Sequence, residues 1–511
     1  MRKLVFISLL CFALLHALSL SAQVCPARPA AGSTVQDPFA VYSQNGVLTA
    51  DLTAGSFLNQ SGLIMYCLAY PQGSTEAPTL RVNPGDNLVL NLTNQIDTSY
   101  FSRLPMHMHQ LTSPPDPDCN GVLTSFSTNL HFHGLNVPAK CHQDETIFTL
   151  INPGDPAFTY RIQIPANEPP GLYWYHPHPH GMTQPQIMGG ASGALIVEGI
   201  DKVKPEVAGL TERVFVLRDQ YSPGLTTTIN FVPGGSPAPV INMEPSQEEF
   251  WRVANAEGET FVSLQVKVNG HPRQLKIVAL DGTPLKTDII TTEIDLPPAG
   301  RAEFIVQGPA AGETGQFVTL GFDTGKDGVA NPAAVIADIV PASDAKAHRL
   351  PAASAPITAT RFAGLKDATP TAQRKLYFSE NLSDPNNIQF FITVAGQKPR
   401  LFDPSEPPAI TTTQGSVEDW TIENRAQEVH AFHIHQVHFL IMARDGVALP
   451  APEVVDTVEI PAWSGTGAYH NVQVRLDFRY PESVGTYVYH CHILIHEDGG
   501  MMAKIKVNPA N

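Results

Sequence analysis

At 511 residues the chain is too long for one ordinary hydrophobic core and points to about three domains. Acidic residues number 48 against 32 basic ones, and the formal charge of −16 excludes a protein that tracks nucleic-acid phosphates and favours cationic or neutral ligands. Prolines (45) and glycines (38) punctuate short Val, Ile, Thr and Phe runs with no long helical period, which excludes a helix bundle and reads as antiparallel β-sandwich.

The chain opens with Met1, Arg2 and Lys3, an apolar run from Leu4 to Leu20, and the small residues Ser21 and Ala22. This is the layout of a secretory signal peptide over residues 1–22, so an exported product, periplasmic or extracellular, is expected. No later apolar stretch is long enough to span a bilayer. Cys11 leaves with the signal, while Cys25, Cys67, Cys119 and Cys141 remain in the first part of the chain. Four cysteines allow three pairings. Cys119–Cys141, with Cys25–Cys67, is the expected one, because it would brace the loops around His131. A Pro/Ala-rich start leads into a first domain over 38–200. A second, over 205–342, carries no paired histidines, and an Ala/Ser/Pro-rich linker from Pro341 to Pro356 opens onto a third over 357–511. A monomer is expected.

Histidines carry the chemistry. Pairs of the form His-x-His occur at His131 and His133, His176 and His178, His433 and His435, and His490 and His492. One such pair arises readily by chance. Four, holding eight of the nineteen histidines, do not. The closing run from His490 to Met501 is the most informative. On a strand, residues i and i+2 share a face, so His490 and His492 serve one site and Cys491 another. The Cys491 thiolate, the His496 imidazole and the Met501 thioether match the ligand set of a blue-copper centre, which needs one more histidine from elsewhere. Met106, His107, Met108 and His109 form a further run with copper-affine side chains, read as an exposed hairpin with a Cu(I) loop site as the alternative.

Four stretches, Asn129 to Gly134, Tyr173 to His178, His430 to His435 and the closing run, resemble the copper motifs of the multicopper oxidases, the family of laccases, ascorbate oxidases and bacterial cuprous oxidases. The resemblance spans residues 129 to 501. It implies an all-β chain of three consecutive cupredoxin-like Greek-key β-sandwich domains, with four coppers. The type 1 copper would take His430, Cys491 and His496, with Met501 as weak axial ligand. The type 2 copper would take His131 and His433, and the type 3 pair His133, His176, His178, His435, His490 and His492. The middle segments Glu249 to Asn255 and Val278 to Gly282 are similar to the copper-free domain of three-domain members. The paired motifs of the first and third domains would then form one cluster between them.

Water formation needs protons at a buried cluster, and a carboxylate of tuned pKa is a natural relay. The resemblance implies two candidates: Glu497, directly after His496 where many bacterial relatives carry an acid, and Asp144, eleven residues after His133 where laccases place an aspartate. His180 reads as a rim residue and His438 as a non-ligand, and Gln436 stands where relatives often have Gly. The implied activity couples one-electron oxidation of phenols, aromatic amines or metal ions to reduction of O2 to water. A cuprous oxidase for copper tolerance is the nearest rival, weakened by the lack of a methionine-rich insert. A non-catalytic copper-binding envelope protein is the alternative from another class, and such relatives usually show gaps in the ligand set.

Overall fold

In the strand Val47–Leu58, Leu48, Ala50, Leu52 and Ala54 are buried while Val47, Thr49 and Asp51 are exposed, the alternation of a half-buried strand. It pairs in parallel with Asn87–Gln95 and antiparallel with Ile64–Tyr70. Its sheet faces a second one, ordered Ala40–Tyr42, Thr79–Val82, Gly193–Val197, Gly171–His176 and His131–His133. Leu48, Leu90, Tyr160, Phe132 and Tyr175 fill the space between them.

This computed structural model describes residues 24–71, 75–103, 119, 121–221, 225–343, 348–350 and 361–510. The expected signal peptide and the run from Met106 to His109 lie outside the described residues. Two further sandwiches follow the first. Sheets of eight and six strands enclose Trp251, Phe304 and Phe317, and sheets of seven and five strands enclose Trp420, Phe432 and Tyr489. Each repeats the same parallel pairing of an early strand with a later one, Thr211 opposite Glu249 in the second and Ala372 opposite Glu418 in the third. The fold is thus all-β, three consecutive cupredoxin-like sandwiches. No helix among the described residues is long and apolar enough to cross a membrane. Both expected disulfides form: Cys25–Cys67 ties the N-terminal segment to the strand Ile64–Tyr70, and Cys119–Cys141 closes the loop that contains His131.

Buried charges join the sandwiches. Arg81 of the first reaches Glu212 of the second at 2.8 Å, and Glu212 also holds Arg252 at 2.5 Å. Arg252 in turn pairs with Glu303, which accepts the Leu172 N–H of the first sandwich at 2.6 Å. Removing one partner of such a ladder leaves a buried charge unmatched, so the ladder fixes the relative placement of the two sandwiches.

Asp219 and Glu257 form a less balanced pair. Asp219 accepts the Gly258 N–H at 2.8 Å and the Glu259 N–H at 3.1 Å, while Glu257 is wholly buried. Burial, followed for Glu257 by the Asp219 charge, raises both carboxyls, Asp219 to about 7. The folded chain therefore keeps protons there that the unfolded chain releases near pH 4, so this pair makes stability fall as pH rises from about 4, the Asp219 part being complete above about 7. Glu257→Gln should gain on the parent across that window, by at least about 1 kcal/mol at pH 8. Denaturant unfolding of the metal-free protein at pH 5 and pH 8 reads this out; a variant that gains nothing on the parent between the two refutes it.

Candidate metal centres

The first and third sandwiches present their histidines in the same way. His131–His133 runs antiparallel to Gly171–His176, with His131 opposite His176. His430–Ile434 runs antiparallel to Gly485–Cys491, with His433 opposite His490 and Phe432 opposite Cys491. Strand alternation sends His490 and His492 to one side and Cys491 to the other.

On the first side, eight histidines from two sandwiches meet, none more than 3% exposed. His131 stacks on His435 with ring centroids 3.7 Å apart and His133 on His433 at 3.9 Å, while His492 stands 5.0 Å from His133 and 5.7 Å from His176. Several rings have one nitrogen held outside the nest. His131 Nδ1 lies 3.0 Å from Asp144, His133 Nε2 3.1 Å from Asp456, and His176 Nδ1 2.9 Å from the Pro177 carbonyl. His433 Nδ1 lies 2.8 Å from the Asp456 carbonyl and His490 Nδ1 3.0 Å from that of Cys491. The opposite nitrogens, His131 Nε2, His133 Nδ1, His176 Nε2 and His433 Nε2, are buried without a hydrogen-bond partner. His435 Nε2 and His178 Nε2 stand 3.2 and 3.4 Å from His490 Nε2. Nitrogens sharing one ion at about 2 Å stand about 3 to 3.5 Å apart. Burial, then neighbouring imidazoles, lowers His131 and His435 well below the usual range and His176 to about 3, so these rings are neutral. Orphaned lone pairs on neutral imidazoles fit a cluster of metal ions.

On the second side, Cys491 Sγ lies 3.4 Å from His430 Nδ1 and 3.8 Å from His496 Nδ1, and the two nitrogens are 3.2 Å apart. Burial pushes the thiol up, but the His430 and His496 imidazoles outweigh it and bring it down to about 6. Met501 is fully buried; its N–H donates to the His496 carbonyl at 2.8 Å and its carbonyl accepts the Cys491 N–H at 3.1 Å. Met502 packs instead with Phe402 and Val488. Phe390 stacks on His496 at 4.3 Å. The outer nitrogens face carboxylates, His430 Nε2 at 3.2 Å from Glu380 and His496 Nε2 at 3.4 Å from Glu428. A thiolate with two imidazoles and a nearby thioether suits copper.

Both acids expected from the sequence lie at the nest. Asp144 also accepts the Phe132 N–H at 2.9 Å and the Gln436 amide at 2.5 Å, and Gln436 itself has φ of +60°, the left-handed conformation that favours glycine. Glu497 is wholly buried between His490 Nδ1 at 3.1 Å and His178 Nε2 at 3.5 Å. His180 packs edge-on against Phe402, and His438 lies 2.9 Å from the Asp281 carbonyl, neither in the nest. Sequence reading missed Asp456, Glu380 and Glu428. None of them left a signal; Asp456 is one of three acids, with Glu453 and Glu459, spaced along a Val/Thr-rich run.

Family profiles described as multicopper oxidase match residues 119–202, 174–335 and 369–511. The multicopper oxidase mco of Staphylococcus haemolyticus is 26% identical over 456 residues, covering 85% of this chain and 83% of its own. A laccase of Bacillus subtilis is 22% identical over 488 residues, with 85% and 89% covered. The solved multicopper oxidase of Campylobacter jejuni, described as a metallo-oxidase, superposes with a TM-score of 0.69 at 20% identity over 96% of this chain and 98% of that one. The chain belongs to the multicopper oxidases. Copper is the cofactor and O2 the acceptor that this membership implies.

In the metal-free protein, Cys491 should be a thiolate at pH 8 and lose its ultraviolet thiolate absorbance near pH 6. His430→Ala should move that midpoint upward. A midpoint that stays put in the variant would mean His430 does not set the thiol's charge.

Proposed function

We propose that this chain is an exported, laccase-like multicopper oxidase that couples one-electron oxidation of a small reductant to four-electron reduction of O2 to water. On this reading His430, Cys491 and His496, with Met501 as a weak fourth ligand, would hold a type 1 copper. His131 and His433 would hold a type 2 copper, and His133, His176, His178, His435, His490 and His492 a type 3 pair. One observation carries it: three consecutive residues, all buried, belong to both nests, Cys491 to the thiolate side and His490 and His492 to the histidine side. Bound copper would supply the one-electron redox chemistry and the place where O2 is reduced.

The protein's own groups do the rest. One peptide unit on either side of Cys491 is the shortest covalent path between the nests. Glu497, touching His178 and His490, holds a carboxylate where protons are consumed and acts as the relay into the buried nest. Asp144 holds His131 Nδ1, which leaves Nε2 for the metal. Phe390, Phe378 and the surrounding core keep water from the thiolate side.

The carboxylates at the electron-entry side favour a cationic reductant. A donor approaching His430 or His496 meets Glu380 and Glu428, and partly buried Glu259 adds its charge to theirs. Neither imidazole is open to contact by any donor, since His430 and His496 are at most 2% exposed, so the carboxylates discriminate through their field and not by touch. A metal ion or a protonated aromatic amine is therefore the preferred donor, and a cuprous oxidase lies within that class. Glu428→Gln should raise KM for such a donor about 10-fold and leave the KM of a neutral phenol within about 2-fold. Equal effects on both would remove the carboxylate argument.

Copper per chain, the visible spectrum and O2 uptake test the whole reading. About four coppers, a blue thiolate band and O2 consumption without peroxide are expected. A blue band with no O2 uptake would point to a copper-binding protein instead. Cys491→Ser should abolish the blue colour and substrate oxidation in a folded protein, whereas His131→Ala should cost O2 reduction and spare the blue band.

A further inference from the structure

From the geometry around Asp456 we infer that the middle sandwich, which gives no histidine to either nest, positions the histidine nest through Arg301. This rests on the reading that the nest holds copper. Asp456 is fully buried and presents two acceptors in two directions. Its carboxylate Oδ1 lies 3.1 Å from His133 Nε2, and its main-chain carbonyl lies 2.8 Å from His433 Nδ1. One residue thus orients a histidine from each copper-bearing sandwich, and leaves His133 Nδ1 and His433 Nε2 as the nitrogens without partners. The hydrogen bond on one imidazole nitrogen decides which nitrogen meets the metal.

Arg301 holds that carboxylate with a fork, Nη1 to Oδ1 at 2.7 Å and Nη2 to Oδ2 at 2.6 Å. Two parallel bonds fix the plane of the carboxylate as well as its distance, which a single contact would not. Asp281, in the segment Val278 to Gly282, fixes both ends of the pair. Its Oδ1 accepts the Arg301 N–H at 2.8 Å, and its Oδ2 accepts the N–H groups of Asp456 and Thr457 at 3.2 and 3.3 Å. The first sandwich leaves space for the clamp at Gly134, where a Cβ would come within 2.5 Å of Arg301 Nη2 and 2.6 Å of Asp456 Oδ2. Three sandwiches therefore meet at one carboxylate. Arg301 and Asp281 are positioning residues, since neither touches the nest nitrogens.

The test compares Arg301→Met, Arg301→Lys and Asp456→Asn with Arg218→Met, which removes an equally buried arginine of the same sandwich with no contact to Asp456. Each copper-loaded full-length protein is dialysed against a graded chelator, and copper per chain is read beside the blue band. Copper-free melting temperatures are recorded in parallel. Arg301→Met and Asp456→Asn should release the non-blue copper at about 10- to 100-fold lower chelator strength than the parent while keeping the blue band. The double variant should be no worse than the weaker single, because the two residues act as one unit. Arg301→Lys should fall between the parent and Arg301→Met. Arg218→Met should lower the melting temperature and leave copper release within about 3-fold of the parent. If Arg301→Met loses copper no more readily than Arg218→Met, or a folded Asp456→Asn holds it like the parent, the inference is overturned. Should Arg301→Met fail to fold, Asp456→Asn and Arg301→Lys decide on the same criteria. A parent that takes up only the blue copper refutes the cluster reading itself, and the inference falls with it.

Discussion

Burying eight imidazoles side by side is tolerable only if their charges are suppressed or balanced and their polar atoms accounted for: burial lowers seven of them, while at His490 the Glu497 carboxylate outweighs burial and raises it. The structure meets that constraint from the outside. Asp144, Asp456 and the carbonyls of Pro177, Asp456 and Cys491 each take one ring nitrogen. What remains inside is a set of lone pairs with no protein partner, which only an electrophile can satisfy. The acceptors outside the nest therefore shape the nest as much as the histidines do.

The second constraint is the two-residue period of a strand. Because successive side chains alternate, His490, Cys491 and His492 cannot share a site, and the chain obtains two centres one peptide unit apart without any further device. The partner strand follows the same rule: His433 faces His490 and Phe432 faces Cys491 across it. The first sandwich repeats the arrangement with His131 opposite His176, so two copies of one local pattern close on each other.

The paired histidines and Cys491 were legible in the sequence because strand period defines which side chains share a face, and the resemblance to the copper motifs grouped them. His131, His133, His433, His435 and the run from His490 to Met501 needed no tertiary information to be grouped. Glu497 and Asp144 were legible by their offsets from ligands. Asp456, Arg301 and Asp281 were not, since Asp456 belongs to the third sandwich and the other two to the second, and all are ordinary residues until the fold brings Arg301 within 2.6 Å of Asp456. Glu380 and Glu428 were hidden for the same reason: a glutamate near an apolar strand reads as a solvated acid until its carboxylate is seen against an imidazole.

By itself the sequence determined the all-β fold class and which histidines of each pair share a face with each other and not with Cys491, because these follow from local period and residue type. Tertiary structure alone decided which nitrogen of the histidines faces inward, which charges surround the thiolate side, and how the middle sandwich reaches the nest. These depend on contacts such as that of His133 with Asp456, 323 positions apart, and no local pattern encodes a distance across domains.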